Sequence, residues 1–380
     1  MSNEEPQYDY ELHGAGEMGV TIGYELAKNC GARTVTVFDP DPNQCHKMHL
    51  RLRSLVGKRA DIFSYNPTTR KHSHVVISAA PHTANVGIAQ NAMDRGVPYC
   101  DLGGSHDVAC VQKTRAYGKK TPVVVGCGWA PGTAMVVAAD LAAQGYKVIE
   151  IFCGGLPYPE PDEKQNPAKY KCTWSRRGLA HELSGKALVV RGGILKEVRA
   201  LSTVMPLELK RGCCASELFE AVWTSNNSFH GIEYLRNLGV EFFDYRTLRY
   251  RGHTAFLENS VPRKNGLLDE DRLFTLFQSM PEVMFDREVD CDRAITLIRA
   301  AWAIREPWAY EFRLSEVYKD TITNFTAMEI QTALGATIVA HALATGTCAP
   351  KGFATPEMCV DRPWYIAELK RRLGLYNMHH

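Results

Sequence analysis

Gly14-Ala15-Gly16-Glu17-Met18-Gly19, followed by Asp39, is the stretch that decides the fold. Tyr8 to His13 ahead of it reads as a strand, Val20 to Cys30 as a helix, and Thr34 to Phe38 as a second strand. Strand, glycine turn, helix, strand and acid make half of a dinucleotide-binding unit. Gly14 permits the tight turn, Gly16 lets backbone amides approach a pyrophosphate, and Gly19 lets helix and strand pack closely. Ala15, Glu17 and Met18 complete a loop placed at the positive end of the helix. Asp39 stands twenty residues after the last glycine, where a carboxylate accepts both ribose hydroxyls of an adenosine. It would repel a 2′-phosphate, so the expected cofactor is NAD. Two features run against the pattern. The first strand alternates polar and apolar residues, whereas a central parallel strand is usually apolar on both faces. Glu17 also brings a negative charge to the expected phosphate site.

Working outward, Val75 to Ser78 is a short apolar strand ending in Ala79-Ala80-Pro81. Val97 to Cys100 delivers Asp101-Leu102-Gly103-Gly104, and Pro122 to Val125 delivers a loop running to Gly132. Ligands of doubly wound sheets lie outside the carboxyl ends of the strands, so these loops converge on one crevice. Ser78, Ala79, Ala80, Pro81, Asp101, Leu102 and Gly103 are therefore expected at the cofactor. The fold class is α/β, a Rossmann doubly wound parallel sheet over residues 1–145, rejoined by C-terminal helices within 321–380. Residues 146–320 read as a second, α+β domain for substrate binding and oligomerisation, its sheet covering the cofactor crevice. Its expected strands are Tyr170 to Trp174, Ala187 to Val190, Glu197 to Leu201, Phe242 to Tyr250 and Glu311 to Val317, while Val261 to Arg305 shows helical periodicity.

A chain of 380 residues calls for two domains. With 45% hydrophobic and 23% charged residues and a net charge of +2, it has no basic footprint for nucleic acid. Met1 to Glu5 is acidic and polar, unlike a targeting peptide, and glycines and Pro131 interrupt the least charged stretch, Val123 to Ala139. A cytoplasmic location without membrane contact is expected. The twelve cysteines show no CxxC pair or Cys/His ligand spacing, so no metal is expected. They read as free thiols, adjacent Cys213-Cys214 included.

The ordered series of motifs resembles the saccharopine dehydrogenase-like oxidoreductases, in particular their lysine 6-dehydrogenase branch. The matching segments are the glycine loop with Asp39, Val75 to Pro81, Tyr99 to Gly104, Trp129 to Gly132 and Gly154 to Pro157. Trp174-Ser175 with Gly178-Leu179, Tyr245 to His253, Thr326-Ala327-Met328 and Gly352 to Glu357 continue it. The resemblance implies NAD-dependent oxidative deamination at the ε-carbon of L-lysine, releasing ammonia, NADH and allysine that cyclises to a piperideine carboxylate. Saccharopine- and carboxyspermidine-type relatives instead reduce imines to secondary amines. A homodimer or homotetramer is implied as well. Thr224-Ser225-Asn226-Asn227 departs from the family's Thr-Ser-Gly-Gly, and Ile330 stands where an arginine is usual. A reading of another class is an NAD-binding regulatory protein without turnover.

Candidate roles follow from the chemistry. Oxidising an amine needs the neutral amine, so the site needs a proton acceptor or desolvation. Asp101 is one candidate base, against a carboxylate that caps the turn at Gly103-Gly104. His253 is the other, with a pKa near the working range, against a structural histidine. Arg249 matches the substrate's α-carboxylate with its planar fork, against an inter-strand salt bridge. Strand alternation puts Arg249 and Arg251 on one face and a packing Tyr250 on the other. Trp174 and Ser175 wall the substrate pocket or pack the core. Ser78 touches the cofactor or only finishes its strand. Thr326 caps its helix or donates to a ligand oxygen. Gly104, Thr224 and Asn226 complete the expected substrate set.

Overall fold

The computed structural model describes residues 7–68, 72–211, 215–225, 229–304, 308 and 310–376. The chain begins with β1 (Tyr8–His13), α1 (Glu17–Asn29), β2 (Ala32–Phe38), α2 (Pro42–Val56) and β3 (Phe63–Tyr65). It continues through β4 (Val75–Ser78), α3 (His82–Asp94), β5 (Tyr99–Asp101), α4 (His106–Ala116), β6 (Val123–Val124) and α5 (Ala134–Ala143). Next come β7 (Val148–Tyr158), α6 (Arg176–Ser184), β8 (Lys186–Arg191), β9 (Ile194–Arg199), β10 (Val204–Arg211) and β11 (Ala215–Val222). Then follow α7 (Phe229–Asn237), β12 (Phe242–Tyr250), α8 (His253–Ser260), β13 (Arg263–Lys264), β14 (Leu267–Leu268) and α9 (Glu270–Ser279). Last are β15 (Cys291–Ala301), β16 (Tyr310–Tyr318), α10 (Ala327–Thr345), β17 (Phe353–Ala354), α11 (Pro356–Cys359) and α12 (Arg362–Leu373). Among the described residues, no helix is long and apolar enough to cross a membrane.

Two compact units divide the described chain, one of residues 7–140 with 329–376 and one of 141–328. The first holds a seven-stranded sheet in the order β17-β6-β5-β4-β1-β2-β3, every pairing parallel. This is the doubly wound order, extended by one strand, with its switch point between β1 and β4. Arg372 of α12 ties the returning helices to α1. Fully buried, it pairs with Glu368 (2.7 Å) and Glu25 (3.7 Å) and donates to Thr337 of α10 (3.2 Å).

The charges in β1 find partners on neighbouring elements. Glu11, 1% exposed, receives a bidentate bond from Arg95 at the end of α3 (2.9 and 2.9 Å) and pairs with His13 (2.8 Å). Burial alone would raise its carboxyl; His13 and Arg95 outweigh that and bring it down to about 2. The alternating pattern thus reflects internal ion pairs in a central strand.

The second unit is built on a mixed sheet ordered β10-β11-β12-β7-β15-β16, with β8 attached to β12 and β9 to β8. One face is packed by residues of α6, α8 and α9 around Leu179, Leu183, Leu257, Leu273 and Phe277. Phe152, Leu207, Phe219, Leu248 and Ile295 make the core on the strands' other face. Here two sequence expectations fail. The helical periodicity of Val261 to Arg305 holds for α8's sequel α9 but not for β15, an eleven-residue strand paired on both sides, by β7 and β16. Buried almost throughout, it lacks the alternation that marks a half-exposed strand. Tyr170 to Trp174 forms no strand; only Cys172 bridges to Met284, and Tyr170 and Cys172 join the helical core. The β10–β11 pair was not anticipated.

Candidate active site

The glycine loop closes on itself as steric rules require. Gly14 has φ +101°, and a Cβ there would lie 2.8 Å from the Ala79 backbone. A Cβ on Gly19 would lie 2.0 Å from the Gly14 carbonyl oxygen, so helix α1 can start here only with glycine at that position. Gly16, at φ −71°, caps α1, and a Cβ on it would meet nothing within 4 Å. The exposed face of Gly16 is open, at the positive end of a thirteen-residue helix. These residues fit a dinucleotide pyrophosphate. Ala15 is buried, Met18 half-buried, and exposed Glu17 is ion-paired to Arg51, which partly offsets its charge.

Asp39 follows β2 on the same sheet edge. Its Oδ2 accepts from Ala15 N (2.8 Å) and its Oδ1 from Asp41 N (2.9 Å), leaving further lone pairs for hydroxyl donors. Asn66, which the sequence reading missed, brackets it from both sides. Its Oδ1 accepts from the Asp39 amide (3.0 Å) and its Nδ2 donates to the Asp39 carbonyl (2.8 Å). A lone asparagine after a short edge strand carries no signal of that role, although its positive φ (43°) is the kind Asn tolerates.

The loops after β4 and β5 join this edge. Ala79 and Ala80 pack on Gly14 and Pro81 precedes α3. Ser78 is buried and donates to Asn85 (2.8 Å), so its hydroxyl ends the strand and does not face a ligand. Gly104 lets the β5 loop pass His82, where a Cβ would come within 2.4 Å of the His82 Cβ. Leu102 and Gly103 are half-buried in that loop. Asp101, 1% exposed, takes four donors: Gly103 N (2.9 Å), Gly126 N (3.0 Å), Tyr99 Oη (3.0 Å) and Gln112 Nε2 (2.9 Å). Burial pushes its carboxyl above the usual range despite these donors. The geometry corrects the general-base expectation: Asp101 ties the β5 and β6 loops together and offers no free oxygen to an amine.

A test follows. Asp101→Ala strands buried amides at about 1–3 kcal/mol for each donor that finds no new partner. Asp101→Asn keeps an oxygen for Gly103 and Gly126, so thermal melting should show it much closer to the parent. Its turnover should stay within about tenfold, whereas removing a true general base costs about 10²–10⁴.

The second unit gathers another set. Arg249, 3% exposed, donates to the Leu248 carbonyl (2.9 Å), lies 3.6 Å from Glu182 Oε1 and sits 4.7 Å over the Tyr170 ring. Its Nε is buried with no hydrogen-bond partner. The ion pair is therefore to helix α6 and not across strands. Thr224 and Thr247 share a hydroxyl bond (2.7 Å), and Thr247 also donates to Glu182 (3.2 Å). Glu182, which lies on an amphipathic helix, was not anticipated. Tyr250 packs as expected, with its hydroxyl on the Pro157 carbonyl (2.8 Å). Arg251 departs from its expected face: β12 ends at Tyr250, and exposed Arg251 lines a cavity of about 750 Å³ with Tyr158, Phe219, Tyr250 and Arg293.

His253 is fully buried and donates Nδ1–H to the Ala168 carbonyl (2.6 Å). Burial and the nearby Arg249 charge push its imidazole down to about 3. It stays neutral in the working range, which corrects the expectation of a base titrating there. Trp174 packs on Gly178 and reaches Tyr170 Oη (3.3 Å), while Ser175 caps α6 by accepting from Gly178 N (3.1 Å). Thr326 is buried just before α10, where Asp292 accepts from Ala327 N (2.8 Å). Asn226, Asn227, Cys213 and Cys214 lie outside the described residues.

Comparison with known proteins places this architecture. The family model "Saccharopine dehydrogenase C-terminal domain" matches residues 125–375. Alpha-aminoadipic semialdehyde synthase, mitochondrial, of Rattus norvegicus is 30% identical over 142 residues, 35% of this chain and 14% of that protein's length. Saccharopine dehydrogenase (L-Glu forming) from Saccharomyces cerevisiae superposes with a TM-score of 0.68 at 15% identity, over 96% of this chain and 97% of that one.

Proposed function

Because the chain belongs to the saccharopine dehydrogenase C-terminal domain family, we propose that it is an oxidoreductase that uses NAD to oxidise a carbon bearing nitrogen. L-lysine at its ε-carbon is the substrate of this reading, with ammonia and allysine as products. The observation that carries it is the glycine loop, where Gly14 and Gly19 admit no side chain and Gly16 faces open space. Bound NAD supplies the hydride acceptor. The chain's own part is to hold the pyrophosphate on the first amides of α1 and the adenosine ribose on Asp39, which Asn66 and Ala15 fix in place. A 2′-phosphate would meet the Asp39 carboxylate, which favours NAD over NADP. Arg249, with an unpartnered buried Nε, is the residue assigned to the substrate's carboxylate.

Asp101 and His253 are both committed inside the fold, so the amine enters in its neutral form from solution. The ε-amine's pKa is about 10.4. Log kcat/KM should therefore rise with a slope near one from about pH 7 to about pH 10 and show no limb from a histidine. A bell centred near neutrality would contradict this.

The first experiment mixes the protein with L-lysine and NAD or NADP and follows reduced nicotinamide and ammonia together. NADH with matching ammonia supports the reading. NAD binding without turnover of lysine, followed by NADH oxidation with lysine plus an oxoacid or semialdehyde, would replace it with an imine reductase.

A further inference from the structure

We propose that Asp9, His72 and His74 form a binding site for a borderline divalent cation such as Zn²⁺, at the sheet end opposite the nucleotide loop. The site is independent of the proposed function. His74 runs beside the start of β1, its amide donating to the Asp9 carbonyl (2.8 Å). Ser73 turns inward and its hydroxyl reaches Glu11 (3.3 Å). His72 and His74 flank it in the chain. Their rings meet edge to face at 5.2 Å.

One ligand atom from each of the three residues lies within 4.8 Å of the other two. His74 Nδ1 is 3.7 Å from Asp9 Oδ2, close to the roughly 3.3 Å between two ligands on a tetrahedral ion with bonds of about 2.0–2.1 Å. His74 Nδ1 accepts the Asp9 amide (3.0 Å), so that nitrogen carries no proton, and to bind an ion its single lone pair must turn from that amide. Two imidazoles and a carboxylate select Zn²⁺, Co²⁺ or Ni²⁺ over Mg²⁺ or Ca²⁺, and leave a fourth position for water. Asp9 and His74 are 65 residues apart in the chain and meet across the β1–β4 pairing, which is why spacing alone did not show them.

Arg33 competes for the same carboxylate through its Nε (3.0 Å to Oδ1) and its Nη2. Its side chain is 56% exposed and can swing into water, while Thr34 keeps its bond to Oδ1 (2.7 Å). Removing Arg33 should thus strengthen cation binding.

The test titrates Co²⁺ into the full chain and follows its visible absorption. One ion per chain is expected, with the spectrum of nitrogen and oxygen ligands, no thiolate charge-transfer band, and displacement by Zn²⁺. His72→Ala, a change at an exposed side chain, should weaken binding at least about tenfold, and Arg33→Gln should tighten it. Absence of saturable absorption, a thiolate band, or equal binding by His72→Ala would overturn the site.

Discussion

Gly16→Ala should melt like the parent protein yet bind NAD about 10- to 100-fold more weakly, a loss of about 1.4–2.8 kcal/mol. At φ −71° the backbone accepts alanine, and the added methyl touches no protein atom. Its only consequence is to occupy the space over the helix end that a pyrophosphate would need. Gly19→Ala should behave in the opposite order. Its Cβ would stand 2.0 Å from one backbone atom of Gly14 and 2.9 Å from another, and neither can move without the loop. Its cost should exceed the roughly 1–3 kcal/mol of ordinary overpacking, so the melting temperature falls and NAD binding goes with it. Calorimetry and NAD titration on the two variants separate the effects. Unaltered NAD affinity in Gly16→Ala would mean that the open face of the loop is not a phosphate site.

The second large effect lies in the charged core of the sheet. Arg95→Met leaves Glu11 buried without the bidentate guanidinium that answers its charge. Breaking a buried pair from one side costs about 3–5 kcal/mol. For a unit of this size that is roughly 6–20 °C in melting temperature. The pH dependence has a definite sign. Glu11 titrates near 4.5 when unfolded and near 2 when folded, so it stabilises the fold above about pH 4.5 by about 3 kcal/mol, and that contribution fades as pH falls toward 2. In Arg95→Met the folded value moves up toward or beyond the unfolded one, so the variant should lose less stability between pH 5 and pH 2.5 than the parent. Parallel acid-unfolding curves would show that Arg95 does not hold Glu11 ionised.

These same residues show what a sequence can carry. The roles of Gly14, Gly16 and Gly19 depend on sterics within the loop and against one neighbouring strand, and the motif encodes them directly. Asp39 is legible for the same reason. Glu11 looked out of place because its answering charge, Arg95, is 84 residues away. Asp101 presented two readings that only its four donors decide, and Gln112 and Gly126 are not visible from Asp101's own surroundings in the chain. His253 sits in a motif that suggests chemistry, yet its titration is set by burial and by the Arg249 charge, and its Nδ1–H is held by the Ala168 carbonyl 85 residues earlier. β15 escaped because a strand covered on both sides has no alternation to read. The parallel sheet and its loops were legible; the protonation states, which depend on distant partners, were not.

Hydride removal from a carbon bearing nitrogen is tested with L-lysine deuterated at its ε-carbon. The protein is incubated with NAD and this substrate, and the reduced nicotinamide is analysed by mass spectrometry. The NADH should carry one deuterium, with ammonia released in equal amount. NADH formed without deuterium would place the oxidation at another carbon. No NADH at all, from protein shown to bind NAD, would contradict lysine oxidation itself.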